Sequence, residues 1–464
     1  MTVSFTGQLL RRGDAEFADA AVSRIFNQRR PSRRPAAVLR PAHVADVAAG
    51  VRLAAAEGLR VAVRAGGHSW AAWSLREDTL LIDLGAFTAM DYDEETATVT
   101  VGPAVRGGVD LDPFLAARGR FFAGGHCPTV GLGGFLLQGG MGWNCRGWGW
   151  AAESVEAVQV VTADGEVAWC DEDANADLFW AARGTGPGFC GVVTAFRLRT
   201  RERYRELTQT TYVYPPSVAG DVLDWLYAAR HDVPPSVELV AVGITPPLPP
   251  EVGHAGPALV VDGVSFDGGP ASLRALGTCP VTDKALVQKI AQPVTIGELR
   301  AEQLRANPEG HRYTVDNAYL AGPRDALVTA VTPAFTDLPT AKSFSLWFDL
   351  AHLPARPLDE AGLPDMALSV QGDLYFATYV VGESPEQDGR CRSWVSDTMG
   401  RLAPFSVGCY LGDSDFNVRA DQFMSDAAWD RFQRIRADRD PGGLFCGYDC
   451  ADPARLNSRS LINP

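Results

Sequence analysis

Lysine is nearly missing from this chain. Three lysines, Lys284, Lys289 and Lys342, stand among 464 residues that carry 42 basic and 56 acidic side chains, for a formal net charge of −14. So acidic a chain offers no basic field to phosphate backbones or anionic bilayers, so neither a nucleic-acid nor a membrane partner is expected. No apolar run reaches the roughly 20 residues that span a bilayer. Residues 1–5 have neither the basic lead nor the apolar stretch of a secretion signal, and a cytoplasmic protein is expected. The nine cysteines are scattered and form no CxxC pair, which fits neither a disulfide framework nor a metal site. No GK[ST] follows any glycine-rich stretch, which excludes a Walker-type nucleotide loop.

The remaining composition is that of a folded globular protein, with 46% hydrophobic and 21% charged residues. The length accommodates two domains of ordinary size. Residues 37–39 read as a short strand. Val44, Val47, Val51 and Ala55 recur at helical spacing, Gly58 is a stop signal, and residues 59–63 form the next strand. Further strands are expected at 80–84, 96–101 and 191–198, with a helix over 109–118. Residues 158–163 and 166–170 flank Asp164-Gly165 as a hairpin. Past residue 203 the composition changes. Residues 204–214 read as an edge strand, prolines crowd 215–260, and apolar strands recur at 258–264, 343–350 and 374–381 with helical segments between them. A helix is expected over 423–438. The fold class is therefore α+β, with a second part built on an antiparallel sheet backed by helices.

Two glycine-rich loops carry the chemistry. The first reads Arg64-Ala65-Gly66-Gly67-His68-Ser69. The second reads Gly125-His126-Cys127-Pro128-Thr129-Val130-Gly131-Leu132-Gly133-Gly134 and runs on to Gln138-Gly139-Gly140-Met141-Gly142. Glycine this dense lets backbone approach a ligand and turn N–H groups toward phosphate. A Rossmann site does not fit: no βαβ frame surrounds 131–142, and Glu153 comes too early to meet a ribose. Imidazole and thiolate are both nucleophiles that add to an electrophilic ring. His68 and Cys127 thus point to a cofactor that is bonded as well as cradled.

These loops, with Val160-Val161-Thr162-Ala163-Asp164-Gly165, Asp177-Leu178-Phe179-Trp180-Ala181-Ala182-Arg183-Gly184 and Gly188-Phe189-Cys190-Gly191-Val192-Val193-Thr194, resemble the berberine-bridge-enzyme-like branch of the vanillyl-alcohol oxidase superfamily. The resemblance is strong over about residues 30–200. It implies a two-part PCMH-type FAD domain over 1–203 (core about 33–203), a substrate domain over 204–415, and a segment over 416–464 that returns to the FAD domain. It implies FAD bonded to His68 and to Cys127, the bicovalent subset. Gly66, Gly67, Gly133 and Gly134 would turn N–H groups to the pyrophosphate, and Gly191 and Val193 would flank the nucleotide. Arg64, Ala65, Ser69, Thr129, Val130, Gly139, Gly142 and Asn457 are the other implied cofactor contacts. A small side chain near Val130 leaves room for O2 and favours an oxidase.

The family's substrate domain supplies a base for the substrate O–H or N–H proton. Asp349 and Tyr375 lie in strand segments resembling those over the flavin. Cys409-Tyr410-Leu411-Gly412-Asp413 stands where relatives often carry Tyr-Val-Asn-Tyr, so Asp413 replaces the second tyrosine. Asp349 or Asp413 is the expected base, with Tyr410 and Tyr375 beside it. Residues 446–454 look like an insertion near the flavin edge. The implied activity is an FAD-dependent oxidase acting on an alcohol, amine or phenolic carbon of a secondary-metabolite or sugar-like small molecule, with O2 yielding H2O2. The alternatives are an oxidative cyclase and a flavin-loaded binding protein without turnover. The oligomeric state is open.

Overall fold

The computed structural model describes residues 4–266, 269–350, 365–450 and 456–457. Its first layer is a four-stranded sheet in the order Gln8–Arg11, Ala37–Arg40, Thr79–Asp83, Arg60–Arg64, parallel except for the first pair. The helix Val44–Glu57 buries Val47, Val51 and Ala54 in the core that this sheet shares. It ends where Gly58 takes a left-handed φ of 68° and returns its N–H to the last turn. A second sheet of five antiparallel strands follows, in the order Met90–Asp93, Thr98–Val101, Val192–Arg199, Val155–Val161, Val167–Cys170. Its last hairpin turns at Gly165, where φ is 78°. The helix expected over 109–118 starts earlier, as a π-turn Gly107–Leu111 that runs into Asp112–Ala116.

The third sheet has eight antiparallel strands. Its order is Val287–Val294, Leu207–Tyr214, Ala258–Ser265, Val237–Ile244, Phe344–Asp349, Leu374–Gly382, Arg312–Leu320, Ser406–Gly408. Helices Ala219–Ala229, Arg324–Val331 and Asp388–Leu402 cover one face, burying Leu239, Ala241, Trp347 and Phe376. Period-two alternation sends Val240, Val242, Leu346 and Phe348 to the other face, toward the first domain. The C-terminal helix Asp426–Arg439 returns to the first core, placing Phe432 and Ile435 beside Leu178 and Phe179.

The strand expected at the edge over 204–214 is not an edge. Val287–Val294 pairs outside it, and this outer strand exposes Gln288, Lys289 and Gln292 and carries Pro293. Charge and proline are how an edge avoids further pairing. Six strands of these sheets escaped the periodicity: Gln8–Arg11, Met90–Asp93, Val287–Val294, Ser406–Gly408 and two that carry buried polar groups. Val237–Ile244 lies inside the proline-rich stretch and carries Glu238, and Arg312–Leu320 carries Asp316 and Asn317. Those polar groups are buried but paired. Arg419 donates to both oxygens of Asp316 at 2.9 Å, and Asn317 clamps Tyr410 by giving to its carbonyl and accepting its N–H. Trp143 and Trp150 are core packing, buried at 2% and 1% exposure.

A buried guanidinium is one of the contacts that join the two halves. Arg146, in the short helix Cys145–Trp148, is buried and donates to Asp349 and to the carbonyls of Arg230, Val233, Pro234 and Val237. Removing it would strip the buried Asp349 of its closest cation, leaving Arg230 at 3.8 Å, and would take a donor from four carbonyls. Arg146→Met is expected to lower unfolding stability by about 3–5 kcal/mol in urea titration, the cost of breaking a buried pair. A loss under about 1 kcal/mol, the range of an exposed pair, would show that Arg146 contributes little to holding the halves together.

Candidate active site

The two glycine loops touch. A Cβ on Gly66 would lie 2.9 Å from the Gly131 nitrogen, and one on Gly131 would lie 2.8 Å from the Gly66 Cα. Gly67 takes a φ of 76°, and any Cβ there would run into the Arg24 carbonyl. Only glycine permits this crossing. Its result is that His68 and Cys127 converge on one hydroxyl. His68 Nε2 lies 2.8 Å from Thr129 Oγ1, and Cys127 Sγ lies 3.4 Å from the same atom. The His68 ring stacks on Phe26 with centroids 4.2 Å apart. Burial lowers the His68 pKa to about 4, so the imidazole is neutral at physiological pH. Burial pushes the Cys127 thiol up, while the Thr129 hydrogen bond pulls it down.

A cavity of about 400 Å³ runs from these loops to the third sheet. Its floor comes from the stretches around 61–76, 125–141 and 186–193, with Phe445 and Cys446 at the margin. Gly66, Gly67 and Gly134 line it, and no described backbone carbonyl accepts their N–H groups. A Cβ on Gly134 would meet only open space. This floor fits a phosphate-bearing ligand that lies against bare backbone. Gly133 differs from expectation: its N–H is already given to the Pro103 carbonyl at 2.8 Å.

The roof is the inward face of the third sheet: Val240, Val242, Ile244, Phe344, Leu346 and Phe348. At one side of it stands Asp413. Its Oδ2 accepts the hydroxyls of Tyr375 at 2.6 Å and Tyr379 at 2.7 Å, and its Oδ1 accepts the Trp70 indole N–H at 2.8 Å. Both tyrosines are held well above the usual phenol range, first by burial and then by the charge of Asp413. Tyr410 is also pushed up by burial, and its hydroxyl accepts the Met141 N–H at 3.3 Å.

Most of the expected site residues therefore meet in one cavity: Arg64, Ala65, Gly66, Gly67, His68 and Ser69 from the first loop, Cys127, Val130, Gly133 and Gly134 from the second, then Gly191, Val193, Tyr375, Tyr410 and Asp413. Several stand apart. Asp349 does not reach the cavity, because alternation turns it away from Phe348 and onto Arg146. The Arg64 guanidinium is spent on Asp83 and the carbonyls of Ala20 and Ala21. Thr129 stands behind His68 and Cys127. Gly139 and Gly142 serve chain packing, since a Cβ there would strike Leu368 and the Ala123 carbonyl. Asn457 lies off the cavity, where its side-chain oxygen accepts the N–H groups of Phe423 and Met424 at 2.9 Å. In the 446–454 stretch, Cys446 lines the cavity, while residues 451–454 lie outside the described residues. Sequence reasoning missed Trp70 and Glu238, which also line it. Trp70 directly follows the first loop, a signal that was available. Glu238 needed the strand register.

Gly66→Ala tests the crossing. The added methyl forces the loops apart, so stability is expected to fall by about 1–3 kcal/mol, with flavin per polypeptide reduced in the purified protein. Unchanged flavin content and melting temperature would mean that the loops do not need this contact.

The comparisons agree with this architecture. The FAD binding domain family matches residues 35–171. The FAD-linked oxidoreductase ptmO of Penicillium ochrochloron is 34% identical over 445 residues, spanning 95% of this chain and 96% of that protein. Among solved structures, the BBE-like 1 protein of Physcomitrella patens superposes with a TM-score of 0.82 at 18% identity, covering 99% of this chain and 98% of that one. A glucooligosaccharide oxidase of Acremonium strictum gives a TM-score of 0.82 at 18% identity, covering 96% of each chain. With homology over nearly its whole length and a cavity floored by the glycine loops, this chain belongs to the FAD-linked oxidoreductases, and its fold is that of the BBE-like 1 protein.

Proposed function

We propose that the protein is an oxidase that removes a hydride from a carbon bearing O–H or N–H in an apolar small molecule, with Asp413 as proton acceptor. FAD, when bound, supplies the two-electron acceptor, and O2 carries the electrons on to H2O2. His68 and Cys127 are the two side chains that would bond it, and Gly66, Gly67 and Gly134 would meet its phosphates. In this reading residues 1–203 and 416–464 hold the cofactor, and 204–415 roof the substrate.

The observation that carries the reading is the Asp413 hub. A carboxylate has about four lone-pair positions. Tyr375, Tyr379 and Trp70 fill three, which leaves one on Oδ1 for a substrate proton. The donors fix the carboxylate in place, as a general base requires. The phenols stay protonated and hold the aspartate from behind. The altered 410–413 segment therefore speaks for turnover rather than for a binding protein.

The roof supports the substrate class. Six of its side chains are aliphatic or aromatic: Val240, Val242, Ile244, Phe344, Leu346 and Phe348. A sugar brings many hydroxyls, and each would cost free energy if buried against such a surface without a partner. An apolar secondary metabolite with one polar handle suits it better.

Asp413→Asn is expected to slow anaerobic flavin reduction by about 100- to 10,000-fold. Asp349→Asn should lower the melting temperature and leave that rate within a few-fold. Equal slowing in both would remove Asp413 from the role. In a substrate panel, hydrophobic ring alcohols and amines should bleach the flavin where oligosaccharides do not. The reverse preference would overturn the apolar assignment.

A further inference from the structure

We infer that Thr129 is the positioning residue that readies both cofactor tethers, because its single hydroxyl joins His68 and Cys127. The inference rests on the two-tether reading above. Thr129 is not itself a lining residue, yet both of its partners are. It therefore acts through them, from behind.

The local backbone makes the contact. Cys127-Pro128-Thr129-Val130 is a tight turn, closed by the Val130 N–H on the Cys127 carbonyl. Pro128 fixes its own φ. Its carbonyl accepts the Gly108 N–H at 3.1 Å, and Gly107 donates to the Val130 carbonyl at 3.1 Å. Gly108 has no room for a Cβ, which would lie 2.6 Å from Pro128. The turn is seated on both sides, and it brings Sγ and Oγ1 of residues two apart within 3.4 Å. The Phe26 stack fixes the plane of the imidazole opposite.

A hydroxyl has one proton to give and can accept in return. Only one arrangement leaves both nucleophiles open. In it, His68 donates its Nε2–H to Thr129 Oγ1, and Thr129 donates its own proton to Cys127 Sγ. The neutral imidazole has one N–H, so Nδ1 keeps its lone pair for bonding. The bond to sulfur favours the thiolate, against the burial that opposes it. The reverse arrangement would put the imidazole proton on Nδ1 and close that nitrogen. In each tethering step the side chain gives up its proton and bonds, through N or S, to an isoalloxazine-system carbon that gives up one hydrogen. The two electrons and two protons released pass to O2, which becomes H2O2.

Wild type, Thr129→Val and Thr129→Ser are purified as holoproteins. Total FAD per polypeptide and the masses of flavin-bearing peptides around His68 and Cys127 are then measured. Thr129→Val should retain FAD, while its doubly bonded fraction falls about tenfold, the worth of one lost hydrogen bond. Thr129→Ser should return to within about twofold of wild type. Incubating Thr129→Val with FAD at rising pH, up to about pH 9, should raise its Cys127-bonded fraction, since alkali increases the thiolate share without help from a hydroxyl. Thr129→Ala gives the same comparison if Thr129→Val is insoluble. Wild-type proportions of both bonds in Thr129→Val, or no recovery in Thr129→Ser, would overturn the inference. A wild-type protein with no Cys127-bonded flavin would instead overturn the two-tether reading, and this inference with it.

Discussion

The contact between Gly66 and Gly131 is the constraint on which the site depends. Two backbone segments from different parts of the chain pass with no side chain between them. Everything functional on the floor follows within a few residues of that point. His68 is two positions past one glycine, and Thr129 and Cys127 are two and four before the other. Had either loop carried a methyl, the imidazole and the thiol would not share a hydroxyl. The dense glycine that first marks the sequence is thus used for three separate ends. One is the crossing, one is bare N–H groups at Gly66, Gly67 and Gly134, and one is plain chain packing at Gly139 and Gly142.

The roof is placed by a different physics. A sheet presents every second residue, so a one-residue difference decides whether a carboxylate faces the cavity or the opposite layer. Phe348 faces in, and Asp349 faces Arg146. Asp413 is not on a strand at all. It sits in the 3₁₀ turn Leu411–Asp413, which is fixed from below by Asn317 holding both the N–H and the C=O of Tyr410. Asn317 is in turn held on a strand whose neighbour Asp316 is neutralised by Arg419. A buried polar strand, costly unless paired, thus positions the one carboxylate that the tyrosines surround.

This explains what could be read in advance. The first 200 residues were legible where their elements are local: the 44–57 helix has its period and its terminal glycine, and the 158–170 hairpin has its Asp-Gly turn, while the short strands Gln8–Arg11 and Met90–Asp93 carry no such signal. The identity of the cofactor loops was legible because their residues are contiguous. The choice between Asp349 and Asp413 was not, since both are aspartates near apolar strands and only register and the Arg146 contact separate them. Nor was Asn457 legible, because the carbonyl it lends to Phe423 and Met424 is a long-range backbone cap. Glu238 stayed hidden within a proline-rich stretch that hid the strand itself.

Strand order also sets where charge can lie in the cleft. Val237–Ile244, Phe344–Asp349 and Leu374–Gly382 are consecutive neighbours, with Val240 opposite Phe348 and Phe348 opposite Tyr375. Asp413 holds the tyrosines of the third strand, and Glu238 belongs to the first. Adjacent strands are about 5 Å apart, so the strand of Glu238 and the strand of the tyrosines lie roughly 10 Å apart across the apolar roof. Glu238 is itself bound, by His126 at 3.1 Å and by the Asn144 N–H, and His126 adjoins Cys127. Glu238 is therefore satisfied internally, while Asp413 keeps an open lone pair. Between them Val240, Val242, Leu346 and Phe348 present hydrocarbon, with Gln303 and Asn307 also lining the cavity. In the proposed reading that asymmetry orients a substrate with its O–H or N–H toward Asp413, the carboxylate with a lone pair to spare.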